Sequence, residues 1–157
     1  MKKIVLLLIF LCTISFSNTI GGFNDLKWGA SREEVKKYLM ETYDLMESSV
    51  YELDDYTQVV FKNIKFLDVE MWDISFYFNN KNQFSKWRAE SYTIKGDKKY
   101  LIDKYKKNYN LKEAKKDSDG NLYLTGYPEN EGILVIIFPD KIRFNIQDYD
   151  YSLVEYK

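Results

Sequence analysis

Apolar and polar residues alternate along several stretches of the chain with a period of two, which is typical of strands that have one buried face. Ile74, Phe76 and Phe78 alternate with polar neighbours, and Trp72 extends the same pattern. Gly, Pro and Asn residues separate these stretches and indicate turns. The predicted strands are 57–66, 69–79, 84–94, 122–127, 133–138 and 142–147.

A first helix is predicted directly after Ser31. The Ser31 hydroxyl and the Glu34 carboxylate have the spacing of a capping box, in which each side chain bonds the backbone N–H of the other. Val35 and Leu39 then form an apolar stripe at helical spacing. Trp28 precedes this helix, and we interpret it as a large hydrophobic residue that docks the helix onto the sheet rather than as a ligand-stacking ring.

A second helix is predicted over 98–109, with Asp97 as its cap. Leu101, Ile102 and Tyr105 recur at helical spacing, whereas most of the intervening lysines would face water. We interpret these lysines as a solvated helix face, with cations near the C-terminal end of the helix dipole, rather than as a binding patch.

The order of these elements predicts the fold class. One helix precedes two or three strands, and a second helix precedes three more. Short turns between successive strands favour antiparallel pairing. We therefore expect an α+β fold in which two helices pack on one face of a mostly antiparallel sheet of five to six strands.

The N-terminal residues predict a removable secretion signal. Lys2 and Lys3 precede an apolar run over 4–14, and Ser15 and Ser17 follow it. This run is shorter than the roughly 20 apolar residues that a membrane span requires. We expect a signal peptide over 1–17 and a single α+β domain over 18–157, located in the periplasm or outside the cell.

Cys12 leaves one alternative, a lipidated cysteine at the start of the mature chain. The bacterial lipobox has small residues before its cysteine, whereas residues 9–11 are Ile, Phe and Leu. The pattern therefore favours cleavage near Ser17 over lipidation.

Composition excludes several kinds of chemistry. The chain has no histidine, and its only cysteine is Cys12 inside the predicted leader. His-dependent triads, thiolate nucleophiles and His- or Cys-ligated metals are thereby removed from the mature domain. The formal net charge of −1 provides no basic excess for nucleic acid. We expect no cofactor, no metal, no nucleic-acid partner and no integral membrane segment in the mature chain.

Carboxylate chemistry remains open, since glycosidases need only a suitably spaced pair of acids. The candidates for a small carboxylate-dependent hydrolase are Asp54, Asp55, Asp68, Glu70 and Asp73. The acidic stretch 117–121 resembles a calcium loop, but its glycine is fourth rather than sixth, so we interpret it as a turn.

The segment 23–39, FNDLKWGASREEVKKYL, carries a family resemblance. It resembles the opening of small exported bacterial domains of unknown function, with the pattern aromatic-x-x-[IL]-x-Trp-Gly-x-Ser-x-Glu-x-Val. The helix-opening turn is also similar to that of small outer-membrane assembly lipoproteins and of β-lactamase inhibitory proteins, which are binding proteins. The resemblance implies export and this kind of fold, but no activity.

Strand alternation also predicts one candidate binding surface. If Ile74, Phe76, Trp87, Leu124, Phe144 and Ile146 face the helices, the opposite face carries Tyr77, Arg88, Tyr92, Tyr123, Tyr127 and Arg143. Tyr and Arg are enriched in interface anchors, although both also suit an ordinary exposed sheet face.

Three functions follow from these patterns. The first is a non-enzymatic binding or scaffold domain that engages a protein or envelope component through the sheet. The second is the hydrolase above. The third is an inhibitor of an external enzyme, acting through a protruding loop at 79–83 or 128–132.

The leader yields a first testable prediction. Mass spectrometry of the protein recovered from producing cells should show a chain that begins near Asn18. An intact or acylated N-terminus would contradict it.

Overall fold

The computed structural model describes residues 22–66, 69–127 and 131–151, so the predicted leader lies outside the described residues. It contains two helices and eight strands. The elements are α1 (Arg32–Tyr43), β1 (Ser49–Glu52), β2 (Tyr56–Phe66), β3 (Val69–Asn79), β4 (Phe84–Ser91), α2 (Lys99–Asn108), β5 (Lys112–Lys116), β6 (Leu122–Gly126), β7 (Glu131–Ile137) and β8 (Ile142–Asp148).

All eight strands belong to one sheet, in the order β1-β2-β3-β4-β8-β7-β6-β5. Every neighbouring pair is antiparallel. The antiparallel sheet with helices is as predicted, but the predicted architecture built on five to six strands is wrong. The sheet is larger and is the dominant part of the fold.

The two unpredicted strands are the edge strands, β1 and β5. Strand β5 reads Lys-Glu-Ala-Lys-Lys and every residue in it is exposed. Strand β1 has only four residues, none of them buried. An edge strand that contributes nothing to the core shows no apolar alternation, so the sequence pattern gave no signal for either.

The capping box of α1 is present as predicted. The Ser31 hydroxyl accepts a hydrogen bond from the Glu34 backbone N–H at 3.3 Å, and the Glu34 carboxylate accepts one from the Ser31 N–H at 2.7 Å. Helix α2 begins one residue later than predicted. Its N-cap position is Lys98, while the Asp97 carboxylate accepts from the Lys99 N–H at 2.8 Å.

Aromatic rings fill the space between the helices and the sheet. Phe23 packs edge-on against Phe76 and Trp87, with ring centroids 5.1 and 5.3 Å apart. Phe144 packs against Trp87 and against Tyr105 of α2. Val35 and Leu39 of α1 belong to the same buried cluster. All six residues predicted to face the helices, Ile74, Phe76, Trp87, Leu124, Phe144 and Ile146, are fully buried.

Trp72 departs from the predicted alternation. A β-bulge shifts the register between Met71 and Asp73, so Met71 and Ile74 are both fully buried and the two residues between them point away from the core. Trp72 is therefore 55% exposed instead of continuing the apolar row. An extra residue in one strand reverses the alternation of buried and exposed side chains. The local sequence gives no signal for this bulge.

Replacing Phe144 should be strongly destabilising, because its ring contacts Trp87 and Tyr105 at the centre of the core. We expect Phe144→Ala to lower the free energy of unfolding by about 3–5 kcal/mol in urea titrations. Tyr100→Ala, at a side chain that is 68% exposed, is the control and should change it by less than about 0.5 kcal/mol. If the two substitutions lowered the free energy of unfolding equally, Phe144 would not be at the centre of the core.

Candidate interaction surface

The sheet has a second face, opposite the aromatic core, which we call the open face. The two described helices place their buried side chains in the core cluster and do not pack on the open face. Most open-face side chains are half-buried, because neighbouring strands shield them from the sides.

Strand register places the open-face residues in three rows that run across the sheet. The first is Tyr51, Gln58, Tyr77, Lys86, Gln147 and Gly132. The second is Val60, Ser75, Arg88, Asn145 and Leu134. The third is Lys62, Asp73, Glu90, Arg143, Ile136 and Tyr123.

Four of the six predicted site residues, Tyr77, Arg88, Tyr123 and Arg143, lie in these rows, but Tyr123 on β6 is four strands away from Tyr77 on β3. The other two lie beyond the strand ends. Tyr92 follows β4, and its ring packs on Trp72 with centroids 5.5 Å apart. Tyr127 follows β6 and is 71% exposed, beside Tyr109 and Lys112 in a surface depression.

Glu90 is the centre of a charged network on this face. Its carboxylate accepts hydrogen bonds from Arg143 Nε at 2.7 Å and from Lys141 Nζ at 2.5 Å. Arg88 lies farther away, at 3.6 Å. Burial alone would raise the pKa of the Glu90 carboxyl, but the hydrogen bonds from Lys141 and Arg143 outweigh it and lower that pKa.

Asp73 is the cross-strand neighbour of Glu90 and has the opposite shift. Burial, followed by repulsion from Glu90, raises the pKa of the Asp73 carboxyl. Two adjacent acids with opposite shifts are a pattern found in hydrolases. Here, however, cations engage the Glu90 carboxylate, and both acids lie on strands of the open face rather than at the bottom of a cleft.

The other hydrolase candidates do not assemble into a site. Asp54 and Asp55 are exposed in the turn between β1 and β2, and Glu70 is exposed on β3. Asp68 lies outside the described residues. The geometry therefore gives no support to paired carboxylate catalysis by these residues.

Tyr123 is tied to the turn that resembled a calcium loop. Its hydroxyl donates to Asp117 Oδ2 at 3.1 Å, and Asp117 also accepts from the backbone N–H groups of Asp119 and Asn121. These bonds occupy the Asp117 carboxylate as a turn-forming group. Within 22–66, 69–127 and 131–151, no cluster of three acidic, His or Cys side chains is arranged to hold a metal ion.

The loops proposed for enzyme inhibition can be placed only in part. Asn79 is buried at the start of the first loop, and its Oδ1 accepts from the backbone N–H groups of Lys81 and Gln83, both at 3.0 Å. This loop is a tight hairpin with an exposed tip at 80–82. Residues 128–130 of the second loop lie outside the described residues.

Trp28 takes the structural position predicted for it. Its ring packs on Phe84, with centroids 4.7 Å apart, and its Nε1 donates to Glu131 Oε1 at 2.7 Å. The side chain thus joins the entry of α1 to β4 and β7.

Two contributors to the open face, Lys86 and Tyr149, were not among the predicted site residues. The Lys86 ammonium lies 5.2 Å from the centre of the Tyr77 ring. Tyr149 folds back over Gly132, where any side chain would collide with its hydroxyl. Lys86 lies two residues before Arg88, so strand alternation predicts that both side chains share one face. No sequence signal predicts that Tyr149, which follows the end of β8, also lies on this face.

Comparisons of the chain with family models, with curated proteins and with solved structures find no match. The likeness of its opening segment to small exported domains therefore stays a prediction. Among the described residues, no helix is both long and apolar enough to cross a membrane.

The opposite shifts of Glu90 and Asp73 predict opposite effects on stability. The Glu90 pKa is lower in the folded protein, so its ion pairs stabilise the fold above about pH 4.3, and this stabilisation is lost as pH falls through the folded pKa. Glu90→Gln should lower the free energy of unfolding by about 1 kcal/mol at pH 7 and by much less at pH 3. Urea titrations at both pH values measure this difference.

The Asp73 pKa is raised in the folded protein, so at neutral pH the ionised carboxylate is less stable there than in the unfolded chain. Asp73→Asn should stabilise the protein at pH 7, and this gain should disappear below about pH 3.9, where the carboxyl is protonated in both states. Loss of stability in Asp73→Asn at pH 7 would contradict the assigned environment.

Proposed function

We propose that the protein is an exported, non-enzymatic binding domain that engages a protein or other envelope component through the open face. The observation that carries this proposal is the clustering of Tyr77, Lys86, Arg88 and Arg143 on a sheet face that the described core does not use. Large Tyr and Arg side chains supply contact area and hydrogen bonds at interfaces.

The four residues differ in how much they offer a partner. Glu90 already holds Arg143, through bonds of 2.6 and 2.7 Å. Arg88 is only loosely paired, and 42% of its side chain is exposed. Tyr77 is half-buried between Tyr56 and Lys86. We therefore assign the main contacts to Tyr77 and Arg88 and a supporting role to Arg143.

Export rests on the leader pattern in the sequence. A charged start, a short apolar run and small residues near position 17 support passage through the membrane, with the domain acting in the periplasm or outside the cell. A partner in the envelope would then be within reach of the open face.

The proposal is tested by co-sedimentation of the exported protein, as recovered from producing cells, with envelopes isolated from those cells. Tyr77→Ala/Arg88→Ala should reduce the sedimented fraction at least fivefold. The matched control is Tyr100→Ala/Lys107→Ala, which removes one Tyr and one cation from exposed positions of α2. The control should sediment like the original protein.

Folding is checked by circular dichroism and urea titration of every variant. Because Tyr77 is half-buried, Arg88→Glu alone provides a second test that spares its packing, and it should also weaken sedimentation. Equal sedimentation of all variants would reject the open face as the binding surface.

A further inference from the structure

Two cations lie side by side near the middle of the open face. Lys86 and Arg88 are two residues apart on β4, so their side chains project from the same face with Cα atoms about 7 Å apart. Within the described chain, no carboxylate pairs with Lys86. Arg88 reaches only Glu90, at 3.6 Å, and Lys141 and Arg143 bind that carboxylate more closely.

Neutral hydrogen-bonding groups lie directly opposite this pair on the neighbouring strands. Lys86 lies opposite Gln147 on one side and Tyr77 on the other. Arg88 lies between Asn145 and Ser75. The nearest carboxylates, Glu90 and Asp73, are shared among Arg88, Lys141 and Arg143, so cations outnumber acids here. Burial together with the Arg88 charge lowers the pKa of Lys86. An anionic group bound between them would supply the missing charge.

Aromatic rings extend the same strip in both directions. Tyr77 and Tyr56 lie on one side of the cations, with ring centroids 5.7 Å apart. Tyr149 lies on the other side, over Gly132. Exposed aromatic rings stack against the C–H faces of sugar rings, and amide and hydroxyl groups bond sugar hydroxyls. Cations, amides and tyrosines thus form one continuous strip.

We infer that this strip, running from Tyr51 across Tyr77 and Lys86 to Tyr149, binds an acidic polysaccharide whose anionic groups pair with Lys86 and Arg88. The inference deepens the proposed function and rests on it, because it names the partner of the same open face.

The shape of the strip favours a polymer over a small molecule. It crosses six neighbouring strands, β1 to β4, β8 and β7, and is about 24 Å long at ordinary strand spacing. The strip is an open sheet surface, so a ligand must obtain its contacts along its length. An acidic peptide would share the charge complementarity, but its carboxylate side chains would offer no flat C–H face to the rings of Tyr56 and Tyr77.

The test measures binding of the full-length protein to polygalacturonate, with uncharged dextran and polyglutamate as comparison polymers. Polygalacturonate should bind at least tenfold more tightly than either comparison polymer. Its binding should weaken as salt is added. Lys86→Gln/Arg88→Gln should lower its affinity at least tenfold. Lys99→Gln/Lys107→Gln, the same charge change at exposed positions of α2, should have no effect.

Two results would overturn the inference. Unchanged affinity in Lys86→Gln/Arg88→Gln would remove the cation pair from the site. Polyglutamate binding as tightly as polygalacturonate would replace the sugar polymer with an acidic peptide. Both variants substitute surface side chains, and their circular dichroism spectra should match that of the original protein.

Failure of this inference is distinguishable from failure of the proposed function. If polygalacturonate does not bind but Tyr77→Ala/Arg88→Ala still abolishes sedimentation with envelopes, only the sugar partner is wrong. If envelope sedimentation is also insensitive to open-face substitutions, the proposed binding surface is wrong as well.

Discussion

Packing of aromatic rings, most of them edge-on, between the helices and one face of the sheet is the interaction on which the rest of the molecule depends. Phe76, Trp87 and Phe144 come from three different strands and contact each other or Phe23, while Tyr105 brings α2 onto the same layer. Because these rings are fully buried, this layer fixes which side of each central strand faces inward. Away from the bulge at Trp72, the period of two then assigns alternate residues on those strands to the open face.

This division explains why the open face carries its particular residues. Tyr77, Lys86 and Arg88 neighbour core residues in sequence but project from the opposite face of the sheet, so the stability of the core places few demands on their chemistry. Glu90 and its cations organise the third row, whereas Lys86 in the first row has no carboxylate partner in the described chain and Arg88 in the second row is only loosely paired with Glu90. A surface with unbalanced charge and amphipathic rings is better suited to contacting a partner than to stabilising the fold.

The sequence predicts those parts of the structure in which local pattern and tertiary packing agree. The capping box at Ser31, the buried row through Phe76 and the common face of Tyr77 and Arg88 all follow from spacing. The edge strands β1 and β5 could not be predicted. None of their side chains is buried, so these strands need no apolar pattern. Trp72 was misplaced by a bulge, and Tyr149 joins the open face only through the close approach that Gly132 permits.

The most direct measurement of the central claim is hydroxyl-radical footprinting of the full-length protein, alone and mixed with isolated envelopes. If the open face is the binding surface, oxidation of Tyr77 and of the 53% exposed Tyr51 in the same row should fall on binding, while oxidation of Tyr100 on α2 should not change. Protection of Tyr100 with unchanged oxidation of Tyr77 would place the partner on the helix side and contradict the assignment of the open face.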